Sequence, residues 1–299
     1  MDIRILRYFL TVVREGSITR AAEVLHITQP TLSRQLAQLE EDLSIKLFDR
    51  GARRITLTNE GMLLRRRAQE IMELVDKTEQ ELSMQEELVE GCISIGSGEL
   101  AAVRQLAKLI SSFCQKYPLV TYDLFTANAD QVKEKMESGL IDIGLLLEPV
   151  DIEKYDYIRL NIGEQWAVLM RPDDPLTAKE FVTAKDLSGL PIIMTKRSNV
   201  ENELRNWFGD YFASLNILFH SNLPANGAIM VQEGLGYSLV IEGVTSALWD
   251  KKKICSRPLY PELATTSVLA WKRHQPCSNA VQRFIEHIKY FSDKKLLED

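Results

Sequence analysis

The segment from Ser17 to Thr58 constrains this chain more than any other, because it holds two short amphipathic repeats of helical period, a break between them and a basic hairpin. Ile18, Ala21, Ala22 and Leu25 recur at spacings of three and four, which predicts a helix from about Ile18 to Leu25 with Ser17 as its N-cap. His26-Ile27-Thr28 breaks the period. A second helix restarts with Thr28 as cap and Pro30 in the first turn, where a missing N–H costs nothing. Its apolar stripe is Leu32, Leu36 and Leu39. The opposite face carries Pro30, Arg34 and Gln38, flanked by Thr31, Ser33 and Gln35. That face is rich in donors and almost free of carboxylates until Glu40 and Glu41, whereas a solvated helix usually mixes Glu with Lys. Taken alone, Gln29 to Gln38 also fits a plain surface helix. The hairpin weighs against that reading. Leu47-Phe48-Asp49-Arg50 and Arg53-Arg54-Ile55-Thr56-Leu57 flank Gly51-Ala52, which sets Arg50, Arg53 and Arg54 at or beside the tip of a ribbon. There a guanidinium reaches a phosphate or enters a minor groove.

A longer run carries a resemblance. Phe9, Ser17, Ala21-Ala22, Leu25, Thr28 to Leu36, Leu39-Glu40, Leu43, Leu47-Phe48-Asp49-Arg50, Leu57-Thr58 and Gly61 resemble the N-terminal signature of the LysR-type transcriptional regulators in order and spacing over about 60 positions, far more than any short motif supplies. The resemblance implies an N-terminal winged helix-turn-helix domain, a long linker helix that dimerises, and a two-lobed α/β effector domain built like a periplasmic binding protein. On that template residues 1–58 form the DNA-binding domain, 59–90 the linker and 91–299 the effector domain. One lobe takes about 91–161 with 266–299, the other about 162–265. Gln29, Thr31, Ser33, Arg34 and Gln38 are then expected to address bases or nearby phosphates, with Pro30 in apolar contact and Arg50, Arg53 and Arg54 serving the wing.

Composition fits these parts. The 299 residues are 45% hydrophobic, enough for two or three domains with real cores. No apolar run reaches 18 residues and Met1-Asp2-Ile3-Arg4 opens an amphipathic helix, so a cytoplasmic protein without membrane association is expected. The net charge of −6 is unevenly spread. Residues 1–67 hold 12 basic against 8 acidic side chains, 68–90 hold 1 against 8, and the remainder 23 against 26. Basicity thus sits with the helix pair and hairpin, and its modest size points to several such domains acting together.

Ile3, Leu6, Phe9, Leu10 and Val13 mark a helix that completes the N-terminal core. After the hairpin, Leu64, Ala68, Ile71, Val75, Thr78 and Leu82 follow heptad spacing in a stretch without Gly or Pro, which predicts one long helix pairing with a second copy. The alternative is packing on its own effector domain. Arg65-Arg66-Arg67 add cations at the helix start, against the macrodipole, which hints at an external anion. From Gly91 onward apolar strands alternate with helices in two sets, broken by Arg171-Pro172-Asp173-Asp174-Pro175, as in a wound α/β domain. Ile158 to Asn161 and Trp166 to Met170 read as two separate strands.

In wound sheets ligands bind where strands end and helices begin. Ser97, Asn128 and Thr195 occupy such loops, which the LysR-type resemblance implies line the effector site, and are expected to hydrogen-bond an effector, with Lys196 or Arg197 attracting an anion. Glu99 departs from the small neutral residues of that family loop. Turned outward it caps its own helix, and turned inward it favours an effector with an amine or hydroxyl. Cys92, Cys114, Cys255 and Cys277 are scattered and read as reduced structural thiols, a redox-sensing pair being the alternative. No phosphate loop, HExxH or GxSxG occurs, and the four histidines are dispersed. The expectation is therefore a regulator, not an enzyme, with no cofactor or metal. Its partners are double-stranded DNA bearing an interrupted inverted repeat, a small effector, a second copy in a homodimer or homotetramer, and RNA polymerase. The competing reading is an effector-independent architectural DNA binder or repressor.

Overall fold

The computed structural model describes residues 2–49, 56–83, 89–242 and 252–294. It divides into two compact units, Met1–Ser83 and Met84–Asp299.

In the first unit, α1 (Ile3–Glu15), α2 (Ile18–Val24) and α3 (Gln29–Asp42) precede a two-stranded ribbon, β1 (Phe48–Asp49) with β2 (Thr56–Leu57), and α4 (Asn59–Ser83). Each boundary has a local cause. Asp2 caps α1, which ends at Gly16 in the left-handed region at φ 62°. Ser17 and Thr28 cap α2 and α3 through their hydroxyls, and Pro30 falls in the first turn of α3. His26, at φ 55°, makes the turn between α2 and α3. Leu6, Phe9, Ala21, Ala22, Leu32, Leu36, Leu39 and Leu47 close one core.

The heptad seam behaves differently from its simplest reading. Leu64, Ala68 and Ile71 pack into that same core, so the first half of the seam is buried within the chain. Val75 is half-buried, Thr78 is exposed and donates to the Leu74 carbonyl, and the Leu82 side chain lies outside the described residues. Exposed apolar surface on α4 comes instead from Met62, Leu63 and Leu74. A heptad cannot distinguish the two partners, because both demand apolar groups at the same spacing.

Among the described residues, the second unit is built on a nine-stranded sheet. Its first half joins β3 (Gly91–Ser97) to β4 (Val120–Thr126) and β5 (Ile143–Leu147) in parallel, with α5 (Val103–Lys116) and α6 (Ala129–Glu137) between them. All five residues of β5 are buried, as expected of a strand covered on both faces. The second half holds β7 (Pro191–Met194), β8 (Asn216–His220) and β9 (Tyr237–Ile241), with α7 (Ala184–Leu187), α8 (Ser198–Phe208) and α9 (Pro224–Gln232). The two strands read around Ile158 and Trp166 are one strand, β6 (Tyr155–Met170), which spans both halves. Within the gap between those two readings, Glu164 pairs directly with Thr265. β10 (Cys255–Pro258), which sequence periodicity missed, pairs with its far end. β11 (Ala264–Lys272) runs antiparallel to both β5 and β6, and α10 (Asn279–Asp293) closes the first half. Each half has its own core, one around Ile93, Phe113, Ile143 and Phe284, the other around Val168, Ile192, Leu204 and Phe208. Two lobes therefore flank a cleft. Among the described residues no helix is long and apolar enough to cross a membrane.

Candidate functional site

The first candidate surface is the outer face of α3. Leu32, Leu36 and Leu39 hold its inner face in the core, so helical geometry turns Gln29, Pro30, Arg34 and Gln38 outward, all exposed, with Thr31 and Ser33 half-exposed. Arg34 makes no hydrogen bond or ion pair among the described residues. Gln38 is already engaged, donating to Asp42 Oδ1 at 2.8 Å. Arg50, Arg53 and Arg54 lie outside the described residues.

Glu40 is the functional residue that helical patterning misses. It ends the polar face in sequence, yet it is 3% exposed. Its Oε1 accepts the Leu47 N–H at 2.7 Å and the Phe48 N–H at 3.3 Å, and Lys46 Nζ stands 3.5 Å from Oε2. The carboxylate thereby ties α3 to the base of the ribbon. Only its place one helical residue beyond Leu39, beside the buried stripe, signalled this. The ribbon base is tied to α4 as well. Thr58 N–H donates to the Leu47 carbonyl at 3.1 Å, its hydroxyl to the Lys46 carbonyl at 2.6 Å, and a Cβ on Gly61 would come within 2.2 Å of the Leu47 oxygen.

The second candidate site lies between the lobes. A cavity of about 90 Å³ is lined by Asn128, Trp166, Thr195, Arg197 and Glu99 with an apolar wall that includes Leu147, Ile193 and Val240. That is several times the roughly 10–15 Å³ needed to admit one water. Asn128 caps α6, accepting the Gln131 N–H at 3.0 Å, and Thr195 accepts the Arg197 N–H at 3.4 Å. Arg197 is buried, donates through Nη2 to the Pro149 carbonyl at 3.2 Å and faces Asp130 at 3.5 Å. Burial pushes the nearby Glu203 carboxyl up, an effect that the Arg197 charge opposes. Ser97 stands apart from the cavity wall. Its buried hydroxyl donates to the Gly98 carbonyl at 2.7 Å. Lys196 is exposed and also off the wall. The structure thus brings Asn128, Thr195 and Arg197 together and leaves out Ser97 and Lys196.

Glu99 turns inward. Its Oε2 accepts the Ala225 N–H at 2.9 Å, so a side chain from the first lobe caps α9 in the second. Behind the cleft, Glu164 is fully buried on β6 and accepts the N–H groups of Ala101 and Ala102 at 3.3 and 3.0 Å and the Ser267 hydroxyl at 3.0 Å. Burial holds its carboxyl above the ordinary range, although those three donors work against the shift.

Comparison with known proteins agrees with both halves of this architecture. Residues 3–62 match the model of the bacterial regulatory helix-turn-helix protein, lysR family, and residues 86–292 match the LysR substrate binding domain. The chain is 31% identical to the HTH-type transcriptional regulator YvbU of Bacillus subtilis, over 97% of this chain and 98% of that protein. It is likewise 31% identical to BsdA of the same organism, over 80% and 83%. Among solved structures, full-length CbnR, a LysR family regulator, matches with TM-score 0.75 at 20% identity, covering 98% of this chain and 99% of that one. CbnR complexed with its target DNA matches at TM-score 0.72 and 21% identity, covering 97% and 99%. The chain is a DNA-binding regulator of transcription with a substrate-binding domain. It belongs to the LysR family.

Proposed function

We propose that the chain reads an interrupted inverted repeat as a dimer and that a small molecule held between its lobes controls it. Gln29, Thr31, Ser33 and Arg34 enter a major groove with Pro30 in apolar contact, Gln38 serves the far end of the face, and Arg50, Arg53 and Arg54 engage phosphates or a minor groove. The working parts divide as DNA-binding residues 1–58, linker 59–90 and effector domain 91–299. A second copy covers Leu63 and Leu74 on α4, and higher assembly to a tetramer rearranges when effector enters, altering DNA bending and polymerase contact. Asn128, Thr195 and Arg197 hold the effector.

The observation that carries ligand control is the cavity itself, set between two separately packed lobes and lined by polar side chains from each. Titrating a panel of small metabolites while following thermal melting and footprint length on DNA tests it, because a ligand that binds one state better must shift both. Replacing Asn128 and Thr195 by Ala together is expected to abolish the response. An unchanged ligand-dependent footprint in that variant would place control elsewhere, and a footprint indifferent to every metabolite would favour an architectural DNA binder.

A further inference from the structure

The cavity between the lobes carries a specific pattern of unanswered chemistry. Trp166 Nε1 and Arg197 Nε are buried and have no hydrogen-bond acceptor, on residues 5% and 7% exposed that both line the wall. Asp130 Oδ1 lies 3.5 Å from the Arg197 Nε, near enough to pair in charge without forming a hydrogen bond. Buried donors without acceptors are rare in native proteins. No acceptor among the described residues answers either donor, and both side chains line the cavity.

Glu99 asks for the opposite. It enters the cavity from the first lobe with Oε2 committed to the Ala225 N–H, while Oε1 makes no hydrogen bond among the described residues. Its carboxylate already occupies the positive end of α9, so that end does not receive an anionic ligand. A simple carboxylate would bring like charge towards Glu99. A simple amine would leave the two buried donors unanswered and add a cation beside Arg197. The rest of the wall sets Asn128, Thr195, Ser221, Asn222 and Ser238 beside an apolar side that includes Leu147, Ile193 and Val240, and its volume suits a small ligand.

We propose that the effector is a small zwitterion, an aliphatic α-amino acid. Its carboxylate accepts from Arg197 and Trp166, its ammonium donates to Glu99, and its side chain lies on the wall formed by Leu147, Ile193 and Val240. The proposal rests on the effector-cleft reading above and names the ligand class for that cleft.

Calorimetric titration of the full chain tests it with L-valine, L-leucine, 4-methylpentanoate and 3-methylbutylamine, the last two being leucine without its amine and without its carboxylate. At least one amino acid is expected to bind, and where it is leucine, about tenfold or more tighter than either fragment, since each fragment forfeits one charge-assisted contact. Glu99→Gln retains an acceptor for Ala225 and is expected to narrow the preference for leucine over 4-methylpentanoate to about threefold or less, which calorimetry reads directly. Equal binding of leucine and either fragment to the unaltered chain overturns the zwitterion. So does failure of both amino acids when a ligand of another class binds and is weakened by replacing Asn128 and Thr195, a result that leaves the cleft reading standing. If ligands bind but none responds to those replacements, the cleft reading falls as well.

Discussion

Single side chains decide whether the two sites work. Arg34 projects from the exposed face of α3 with no partner among the described residues, so its donors are available to a base edge. Arg34→Ala is expected to cost about 1–3 kcal/mol in DNA affinity and to relax preference at one position if the contact is bidentate. Affinities over a set of single-base operator variants measure this, and a uniform loss across the set would mark a phosphate anchor. Glu40 acts through structure instead. Glu40→Ala strands the Leu47 and Phe48 N–H groups in a buried site. A loss of about 2–3 kcal/mol is expected in chemical denaturation of the full chain, confined to the transition of the first unit. Glu164 predicts a pH effect of definite sign. Its folded pKa lies above the unfolded value, so ionisation is dearer in the folded chain. Its contribution to stability therefore improves as pH falls from neutral towards the ordinary carboxylate range. Replacing it by Gln removes that component, and the stability difference between variant and parent should change with pH across the same interval. Glu148 pulls the other way, because its bond from Arg159 holds its carboxyl low and is lost on acidification.

At the scale of elements, the ribbon base is where tolerance runs out. Gly61 on α4 faces the Leu47 carbonyl so closely that even a methyl group forces backbone to move. Gly61→Ala is expected to destabilise the first unit by about 1–3 kcal/mol, the usual scale of overpacking, read from its melting transition. Much of this unit was legible in the sequence, because caps such as Ser17 and Thr28, Pro30 and the spacing of Leu32, Leu36 and Leu39 act locally. What escaped depends on distant partners. The seam from Leu64 to Ile71 looked outward because periodicity records that a face is apolar without saying what covers it. The strand around Ile158 and the one around Trp166 read as separate because a buried polar residue such as Glu164 does not look like strand until β11 supplies the pairing and Ala101 and Ala102, ahead of α5, the N–H donors. The three loops of the cleft were placed by the family resemblance together with topology, since strand ends and helix starts define such a site. Which side chains face inward was not readable, and so Ser97 and Lys196 fell outside the wall while Glu99 and Trp166 fell on it.

At the scale of the whole molecule, the net basic segment belongs to the first unit and the cleft to the second, and each unit carries exposed apolar surface of its own. The polar α3 face lies in a unit with a net positive N-terminal segment, while the second unit carries exposed Leu218 and Phe219 on β8 and Ile229 and Met230 on α9. If these serve assembly, Phe219→Asp with Ile229→Asp should lower the sedimenting mass of the chain without changing ligand affinity in the cleft. The lobes themselves are joined through β6 and β11, a pair of antiparallel strands whose register shifts between Thr265 and Ser267, beside Glu164. A hydrogen-bonded ribbon of this kind resists stretching and sliding but yields to twist, most easily where its ladder is interrupted. Such a ribbon is suited to act as a torsion spring. A ligand bound at the mouth is expected to turn one lobe against the other, so spin labels across the opening should swing while labels placed along the ribbon keep their separation.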